Sequence, residues 1–515
     1  MSADVGAQNA GGVRFPAVSP LAACVALAAA LRLVSAVFSE GYLMHDDHFL
    51  VVEVGASWAQ GADYNAWLPA SQLERGVPLP EPHPGNFVYP GLHMGLFALL
   101  RAAGLVEPAS QMVVIRLLHA AWSLLVVVLG YRIAEHLAGT ATARRVGLLL
   151  AALGWMPVVS VHQLVEVFCM PPLLAAVWWW IRTPLDRHTR ATWVAVGCAW
   201  GLATGLRYQV GLAAVGFASA VLFTHRKAAI PALFSVTASA LAVFSLTQIS
   251  DLWVWGEPFA QLRAYFGYNT EQAGNYPQGP VYQYILTLAG LLLPPFSLLL
   301  LVAGVRGWRK WAVVVWPALL FLLFHSVFPN KQERFIFPVV PLLVVAGMAG
   351  LGNFTEIRWK RRLWQASWVL NVLALIVLTP ATFKRSRLEA MDLLHDFGNV
   401  ENFLAVQVDS GALPPQFYWG KWTRYWTTDG STDPAEDKAT MCASERPFPD
   451  AILFYGDRHL GEAVERYKAL YPSMSYAGQA PPGKLDLLMN FLNPVNSVER
   501  VLVYRVDPGV ECSGE

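Results

Sequence analysis

The stretch that sets the fold is residues 19–38, SPLAACVALAAALRLVSAVF, an almost unbroken apolar run near the amino terminus. A helix needs about 20 such residues to cross the hydrocarbon core of a bilayer. No small-residue cleavage site follows this run, and further apolar runs do, so we interpret it as a retained helix and not as a signal peptide. The run therefore predicts a membrane protein.

The composition of the whole chain agrees with this interpretation. Of its 515 residues, 55% are hydrophobic and 14% are charged, and the mean hydropathy is +0.40. Ordinary soluble domains carry about 25% charged residues, so this chain is too apolar to be one of them. The 37 Lys and Arg residues almost balance the 36 Asp and Glu residues, and no basic tract recurs. This pattern argues against binding of nucleic acid.

Apolar runs of membrane length, or close to it, recur along the first 380 residues. We predict eleven transmembrane helices from them, at residues 19–38, 112–134, 146–160, 165–181, 191–206, 209–224, 229–249, 281–305, 311–328, 335–352 and 363–380. If residues 87–103 form an interfacial or re-entrant helix, the short basic loops all fall on one side, which the positive-inside rule assigns to the cytoplasm. The sequence thus predicts an all-α polytopic domain over residues 1–380, in which residues 39–111 form the outer catalytic loop.

The tail, residues 381–515, has a different composition. It carries 13 basic and 19 acidic residues, a net charge of −6, whereas 24 basic and 17 acidic residues give residues 1–380 a net charge of +7. Strand-like runs at 451–455 and 501–505 flank a helical pattern at 461–470, which predicts a small mixed α/β domain on the non-cytoplasmic face. The tail also holds Cys442 and Cys512, which are either a disulfide in an oxidising compartment or two free thiols.

Ionisable side chains gather on the predicted outer face. Residues 44–49, MHDDHF, follow the first helix directly and contain two acids and two imidazoles. This combination suits a general base, a metal site or a solvated interfacial loop. A metal site is the weaker functional interpretation, because adjacent residues rarely all point at one ion. The residues alone leave these interpretations open.

A second charged cluster, residues 328–335, FPNKQERF, is held between two predicted helices at the outer membrane boundary. A charge at this boundary is costly unless it is paired or faces water. Its two cations, Lys331 and Arg334, suit a phosphate because Arg offers a planar fork and Lys a point charge. The alternative is that they are snorkelling anchors. Other polar residues lie in or beside predicted outer segments, namely Arg207, Glu166, Tyr265 and Asn269.

These two clusters resemble motifs of the polyprenyl-phosphate-mannose-dependent mannosyltransferases, which build lipid-linked oligosaccharides and GPI anchors. Residues 45–49 together with Glu53 are similar to that family's His-Pro-Asp-Glu-x-Phe motif. Residues 330–338 are similar to its His-Lys-Glu-x-Arg-Phe segment. The resemblance runs through residues 20–380 in order and spacing. It implies a distant member of the family with a GT-C fold.

Four positions depart from the family's motifs. Counted from His45, Asp46 replaces the Pro of the first motif and His48 replaces its Glu. In the second segment, Asn330 replaces the His and Gln332 replaces the first Glu. In this register Asp47 takes the place of the motif's Asp.

The resemblance also implies a mechanism. The acceptor hydroxyl attacks the anomeric carbon of a polyprenyl-phosphate sugar in one inverting displacement, and a carboxylate takes its proton. Asp47 is the predicted base, with Asp46 as the alternative. Preorganised cations stabilise the phosphate of the leaving group, and for this role we predict Lys331, Arg334 and Arg207. The residues predicted to contact substrate are His45, His48, Glu53, Glu166, Glu333, Tyr265 and Asn269.

This mechanism uses a polyprenyl-phosphate sugar, with mannose as the expected hexose, and requires no nucleotide, metal or other cofactor, although a divalent ion is compatible with it. The expected partners are membrane lipid and a glycan or lipid-linked acceptor. We predict a bacterial inner membrane with the site on the periplasmic face, or alternatively an endoplasmic reticulum membrane with a lumenal site.

Two other classes of function compete with the enzyme. A transporter or flippase for a lipid-linked or anionic substrate is expected to place its charges near the membrane midplane, with internal repeats and broken helices. A non-catalytic scaffold subunit is expected to leave the acids and the cations apart. The polar residues of this chain collect at one predicted surface, which favours the enzyme.

Overall fold

The computed structural model describes residues 19–276, 278–408, 411, 413–429, 432–494 and 498–512. Helices dominate the chain up to residue 380, and five strands lie beyond it. The division agrees with the change of composition that the sequence shows at this point.

The first apolar run forms the helix Pro20–Phe38. Ser19 is its N-cap and accepts a hydrogen bond from the backbone N–H of Ala22 at 3.2 Å, and a proline at the first helical position needs no donor there. Arg32 lies fully buried in this helix. Its guanidinium donates hydrogen bonds to Ser123, Leu150 and Ala151. These bonds connect the first helix to the helical stretch Pro108–Ala152.

The longest helical stretch, Pro108–Ala152, is a hairpin of two arms. Gly139 has φ 80° and ψ 173°, a conformation that glycine adopts without strain, and the chain reverses there. The arms pack closely, since a Cβ atom added at Gly130 would lie 2.2 Å from Leu150. The hairpin therefore contains the two separate helices predicted at 112–134 and 146–160.

Among the described residues, four helical stretches are long and apolar enough to cross a membrane, namely Pro20–Phe38, Pro108–Ala152, Val210–Val254 and Glu333–Leu351. Shorter apolar helices cover Val165–Ile181, Ser297–Arg306 and Ala312–Val327. The chain is thus a mostly helical membrane protein. The number of eleven spans stays a prediction, because length and composition establish only these four.

The helical part also contains several short turns of 3-10 and π helix. After the first helix, its elements as far as the hairpin are His45–Asp47, His48–Val52, Glu53–Ala59, Pro69–Glu74 and Val88–Ala102. Beyond the hairpin they are Met156–Val159, Val165–Phe168, Met170–Ile181, Leu185–Arg187, Arg190–Leu206, Val210–His225, Arg226–Ala229, Ile230–Thr247, Ile249–Val254, Ala260–Glu271, Ala273–Asn275, Gln283–Leu291, Ser297–Arg306, Ala312–Val327, Glu333–Val339, Val340–Leu351, Phe354–Glu356 and Arg358–Leu378.

The helix Val88–Ala102 occupies the stretch predicted to be interfacial. It packs against Glu53–Ala59, and a Cβ atom added at Gly55 would lie 2.8 Å from the Cβ atom of His93. Glycine at this position therefore lets the two helices of the outer loop approach closely. The location of Val88–Ala102 at the membrane surface stays a prediction.

The tail folds around a five-stranded sheet with strands β1 (Phe403–Gln407), β2 (Trp426–Thr428), β3 (Ala451–Gly456), β4 (Ser475–Ala480) and β5 (Arg500–Arg505). The strand order is β2-β1-β3-β5-β4, with β1 parallel to β2 and β3, and β5 antiparallel to β3 and β4. Strand β3 is central and every residue in it is buried. The accompanying helices are Arg385–Phe397, Gln416–Trp419, Pro434–Cys442, Leu460–Leu470, Lys484–Leu492 and Pro508–Glu511.

Strands β3 and β5 and the helix Leu460–Leu470 lie where the sequence predicted two strands and a helix. Of the two alternatives for the tail cysteines, the structure has the disulfide between Cys442 and Cys512. One hydrophobic core joins the tail to the outer loop, and it includes Tyr42, Phe49, Phe97, Phe417 and Trp419. The tail is therefore packed directly on the loop that carries the first charged motif.

Candidate active site

A cavity of about 490 Å³ opens beside the first charged motif. Three separate parts of the chain contribute charged or imidazole groups to its wall, in addition to aromatic and amide groups. Among the residues predicted from sequence, those that line it are His45, Asp46, Arg207, Arg334, Tyr265 and Asn269. The fold thus brings together residues that are almost 290 positions apart, since Asp46 and Arg334 are 288 residues apart in sequence.

Glu166 joins the two arginines of this cavity. Its Oε1 lies 2.9 Å from Nη1 of Arg207 and 3.5 Å from Nε of Arg334. The Glu166 side chain is buried, and its position in the first turn of Val165–Phe168 is favourable for an acid. A carboxylate between the two guanidinium groups offsets their repulsion and fixes their spacing.

Arg334 connects this pair to the outer loop. Its Nη2 donates to Oδ2 of Asp46 at 2.5 Å and to Oε1 of Gln332 at 2.7 Å. The Arg334 side chain is 6% exposed, whereas 45% of the Asp46 side chain is exposed. Asp46 is therefore held on one side by a buried cation and is open on the other, as a general base facing a bound hydroxyl requires.

Arg207 has hydrogen-bonding capacity that the described part of the chain does not use. Its Nε and Nη2 are buried and have no hydrogen-bond partner there. A buried donor without a partner costs about 1–3 kcal/mol, so these two atoms mark a favourable place for an anionic oxygen. The ring of Phe335 lies 5.3 Å from the Arg207 guanidinium and 5.6 Å from that of Arg334, which adds a cation–π contact to each.

Aromatic and amide groups form another part of the wall. The Tyr265 ring packs edge-on against Tyr208 with centroids 5.1 Å apart, and Asn269 donates to the carbonyl of Tyr265 at 2.8 Å. Burial raises the pKa of Tyr265 to about 12, so this hydroxyl stays protonated at neutral pH. Such a wall offers a neutral donor and ring faces to a sugar.

Asp47 has a different place from Asp46. Its carboxylate accepts the backbone N–H groups of Leu43 and Met44 at 3.0 and 3.1 Å, and the residue is 2% exposed. Burial raises the pKa of Asp47 to about 7, although the two N–H groups oppose this shift. This pKa suits a general base. A base must also reach the hydroxyl that it deprotonates, and Asp47 is not part of the cavity wall. The structure therefore favours the alternative base, Asp46.

Lys331 also points elsewhere than the sequence suggested. Its Nζ donates to the carbonyl oxygens of His325 at 2.9 Å and Ser326 at 2.7 Å, and also to that of Phe328. These carbonyls belong to the carboxyl end of Ala312–Val327 and the residue that follows it, where a cation is favourable. Lys331 does not line the cavity, so we assign it to the helix end.

Four of the predicted substrate contacts, Glu166, His48, Glu53 and Glu333, are not part of the cavity wall, although Glu166 contacts two arginines that are. His48 and Glu53 form a buried pair with 2.9 Å between Nε2 and Oε1, and the same oxygen accepts the backbone N–H of Phe417 at 2.9 Å. Glu333 is exposed and is not part of the cavity wall. The first pair therefore links the outer loop to the tail, because Phe417 belongs to the tail domain.

The cavity wall also contains residues that the sequence analysis did not select. Oε1 of Gln332 accepts a hydrogen bond from Nη2 of Arg334. The His83 ring stacks on Trp67 with ring centroids 3.7 Å apart. Burial lowers the pKa of His83 to about 4, so its imidazole is neutral at physiological pH. The position of Gln332 inside the second charged cluster, residues 328–335, could have indicated its place in the cavity wall. No motif pointed to His83.

Comparison with known sequences agrees with this arrangement. The sequence profile of the Alg9-like mannosyltransferase family matches residues 24–402. The Dol-P-Man:Man(7)GlcNAc(2)-PP-Dol alpha-1,6-mannosyltransferase of Drosophila melanogaster is 27% identical over 188 residues, which is 36% of this chain and 26% of the fly protein. GPI mannosyltransferase 3 of Saccharomyces cerevisiae is 33% identical over 107 residues, 19% of this chain and 17% of the yeast protein. The chain thus matches about a quarter or less of the length of these relatives.

Comparison with solved structures supports the GT-C fold. ArnT from Cupriavidus metallidurans bound to undecaprenyl phosphate is similar with a TM-score of 0.60 and 13% identity, over 95% of this chain and 99% of ArnT. Its apo form gives a TM-score of 0.58 over 94% and 97% of the two chains. The profile match covers most of the chain and both charged motifs. The chain belongs to the Alg9-like mannosyltransferase family.

Proposed function

We propose that this protein is an integral-membrane glycosyltransferase that transfers mannose from a polyprenyl-phosphate donor to a lipid-linked glycan or another acceptor. The observation that carries the proposal is the continuous set of contacts from Asp46 through Arg334 and Glu166 to Arg207 on one cavity. A scaffold subunit would have no need to bring these acids and cations together.

The donor phosphate binds at Arg207 and Arg334. Glu166 fixes both guanidinium groups, and two donors of Arg207 remain for phosphate oxygens. The fold of a protein bound to undecaprenyl phosphate and the Dol-P-Man donor in the fly relative's name support a polyprenyl phosphate as the leaving group. The names of both curated relatives support mannose.

Asp46 accepts the proton of the acceptor hydroxyl. As this oxygen bonds to the anomeric carbon, the bond from that carbon to the phosphate oxygen breaks, and its electron pair leaves with polyprenyl phosphate. Attack from the opposite face inverts the configuration of the anomeric carbon. Arg334 orients the Asp46 carboxylate through their ion pair, and Arg207 stabilises the charge that develops on the phosphate.

The site faces the non-cytoplasmic side of the membrane. The tail packs on the outer loop and contains the Cys442–Cys512 disulfide, a bond that persists in oxidising compartments. The cavity residues Asp46 and His45 belong to that same loop. We place the site in the bacterial periplasm, with the lumen of the endoplasmic reticulum as the alternative.

The test uses the full chain purified into lipid nanodiscs and incubated with radiolabelled polyprenyl-phosphate mannose and a panel of lipid-linked and peptide acceptors. Transfer by the wild-type protein and its loss in Asp46→Asn are expected. Asp186→Asn is the matched control, because Asp186 is exposed on a predicted cytoplasmic loop. Wild-type turnover in Asp46→Asn would remove Asp46 from the role of base, and absence of transfer by the wild-type protein to any acceptor would overturn the proposal. In sealed proteoliposomes, donor that crosses the bilayer without transfer to any acceptor would instead establish the flippase.

A further inference from the structure

A second cavity, of about 580 Å³, lies between the outer loop and the tail. Arg75 enters it from the outer loop, and Arg424 and Arg446 enter it from the tail. Aromatic residues from both sides complete its wall, including Tyr64, Trp67, Trp422 and Trp426. We call this cavity the arginine groove, defined by Arg75, Arg424 and Arg446 and these aromatic residues.

The charge of the arginine groove is opposite to that of the tail as a whole. The tail carries 13 basic and 19 acidic residues, yet two of its arginines converge here with Arg75. No carboxylate among the described residues forms an ion pair with any of the three. Asp63, the acid in the wall, already accepts the indole N–H of Trp58 at 3.0 Å and the backbone N–H of Leu68 at 2.8 Å.

The three arginines repel one another. Burial and the charge of Arg424 both lower the pKa of Arg75 and that of Arg446. The charge of Asp63 opposes the shift in the pKa of Arg75, but one carboxylate does not balance three cations, and a bound anion relieves the remaining repulsion. The arrangement therefore favours an anionic ligand over a neutral or cationic one.

The aromatic residues suit a saccharide. The Arg446 guanidinium lies 4.0 Å from the Trp426 ring, and the Trp422 ring lies 5.7 Å from that of Tyr64. The indole N–H of Trp422 is buried and has no hydrogen-bond partner among the described residues. Ring faces and an unused donor are what the apolar face and a hydroxyl of a sugar need.

The arginine groove adjoins the candidate active site, because His45 and Leu50 line both cavities. His45 precedes Asp46, so a ligand that fills the groove ends beside the proposed base. Arg424 and Arg446 lie beyond residue 402, where the family profile ends. Recognition here is thus a property of this chain's own tail.

We propose that the arginine groove binds an acidic saccharide, with its phosphate or carboxylate group at Arg75, Arg424 and Arg446 and its sugar rings against Trp422 and Trp426. This saccharide is the acceptor, or part of it, and that role rests on the proposed glycosyl transfer. The binding itself does not depend on catalysis.

Saturation-transfer NMR on the full chain in nanodiscs tests the binding with three probes: mannose 6-phosphate, glucuronic acid and unmodified mannose. We expect saturation of ring protons for one or both acidic sugars and little for mannose. The stronger of the two acidic probes identifies phosphate or carboxylate as the recognised group. Equal saturation of all three sugars would overturn the proposal.

The variants Arg424→Gln and Arg446→Gln should each weaken binding about tenfold, as expected for the loss of a charge-assisted hydrogen bond. Arg466→Gln is the control, because Arg466 is exposed on Leu460–Leu470 and lies outside the groove. Arg75→Gln, on the outer loop, provides a second variant if those in the tail do not fold. Binding that none of the folded groove variants weakens would also overturn the proposal.

Asp46→Asn separates this proposal from the proposed function. If both hold, this variant loses transfer and binds the acidic sugar like the wild type. Retained transfer in Asp46→Asn contradicts the assignment of the base alone, and absence of transfer by the wild-type protein contradicts the proposed function alone. Failure of the acidic sugars to bind better than mannose contradicts the groove alone.

Discussion

Two polar clusters begin in the same short motif and differ in what surrounds them. In the open cluster, Asp46 and Arg334 face a cavity, and Arg207 keeps two donors without partners among the described residues. In the closed cluster, His48 and Glu53 are 1% and 0% exposed and are covered by the tail. Asp46 thus faces a cavity, whereas His48, two positions later, lies in the contact between the outer loop and the tail.

Aromatic packing seals the closed cluster. The His48 ring lies nearly parallel to Tyr42 and to Tyr418, with centroids 4.8 and 5.7 Å away. Oε2 of Glu53 has no hydrogen-bond partner among the described residues, as is true of two Arg207 donors, but it does not face the active-site cavity. Unused hydrogen-bonding capacity therefore indicates a ligand site only where space adjoins it. Function is expected to depend on the open cluster, and attachment of the tail on the closed one.

The sharpest test of this difference is the neighbouring pair Asp46 and Asp47. Asp46→Asn should lower turnover by about 10²–10⁴-fold, the usual contribution of a general base, without changing the thermal unfolding temperature. Asp47→Asn should keep turnover within about tenfold of wild type, because Asp47 is not part of the cavity wall and the amide oxygen still accepts one of the two N–H groups, those of Leu43 and Met44, that bond to separate oxygens of the carboxylate. Rates are measured with saturating donor. Loss of turnover confined to Asp47→Asn would return the base to Asp47.

The closed cluster should control stability instead. Glu53→Ala leaves His48 and the N–H of Phe417 without their shared acceptor, and each buried group left without a partner costs about 1–3 kcal/mol. Denaturant unfolding in nanodiscs measures the change. Glu462→Ala is the control, since Glu462 is 86% exposed and its contact with His459 contributes little.

The specific activity of folded Glu53→Ala protein distinguishes a structural role from a catalytic one. Activity per folded molecule close to that of wild type is expected. Normal stability combined with lost activity would move Glu53 into the open cluster and contradict the comparison.

Arg207 should act mainly on the donor. Arg207→Gln removes the cation that has two unused donors, and a hydrogen bond to a charged group contributes about 1.5–3 kcal/mol. The Michaelis constant for polyprenyl-phosphate mannose should rise by about 10–150-fold, while that for the acceptor changes little. Arg187→Gln, at an exposed position of a predicted cytoplasmic loop, is the control. An equal rise of the Michaelis constants for the donor and the acceptor would contradict a specific role of Arg207 in donor binding.

The register of the first motif shows what sequence reasoning achieved and where it stopped. Counted from His45, the motif assigns its Asp to Asp47. Counted back from Phe49, the six-residue motif assigns its Asp to Asp46 and its Glu to Asp47, as the geometry favours. Neighbouring side chains on a helical turn point about 100° apart. A shift of the motif by one position therefore replaces Asp46, which lines the cavity, with Asp47, whose buried carboxylate accepts backbone N–H groups. The motif thus directed attention to this segment, and the choice between Asp46 and Asp47 as the base stays a prediction.

The fold was predictable to the extent that it depends on local pattern. Apolar runs gave the helices, and residue preferences gave strands β3 and β5 of the tail. The contact between Glu53 and Phe417 joins positions 364 residues apart, and no local pattern contains that information. For the same reason, the closed cluster was interpreted from sequence as part of the substrate site.

Lys331 supplies the smallest expected effect and the last test of the comparison. Its flexible stem lets Nζ reach either a phosphate or the end of the preceding helix, and in the structure it donates to three carbonyl oxygens there. Lys331→Met keeps the apolar stem and should lower the free energy of unfolding by about 1–2 kcal/mol through loss of this cap. The donor's Michaelis constant should stay within about twofold of wild type, because Lys331 does not line the cavity and its loss removes no contact with the donor. Lys227→Met, at an exposed site, is the control. A rise as large as that of Arg207→Gln would instead place Lys331 in the open cluster, because only a group that contacts the donor phosphate would raise this constant without lowering stability.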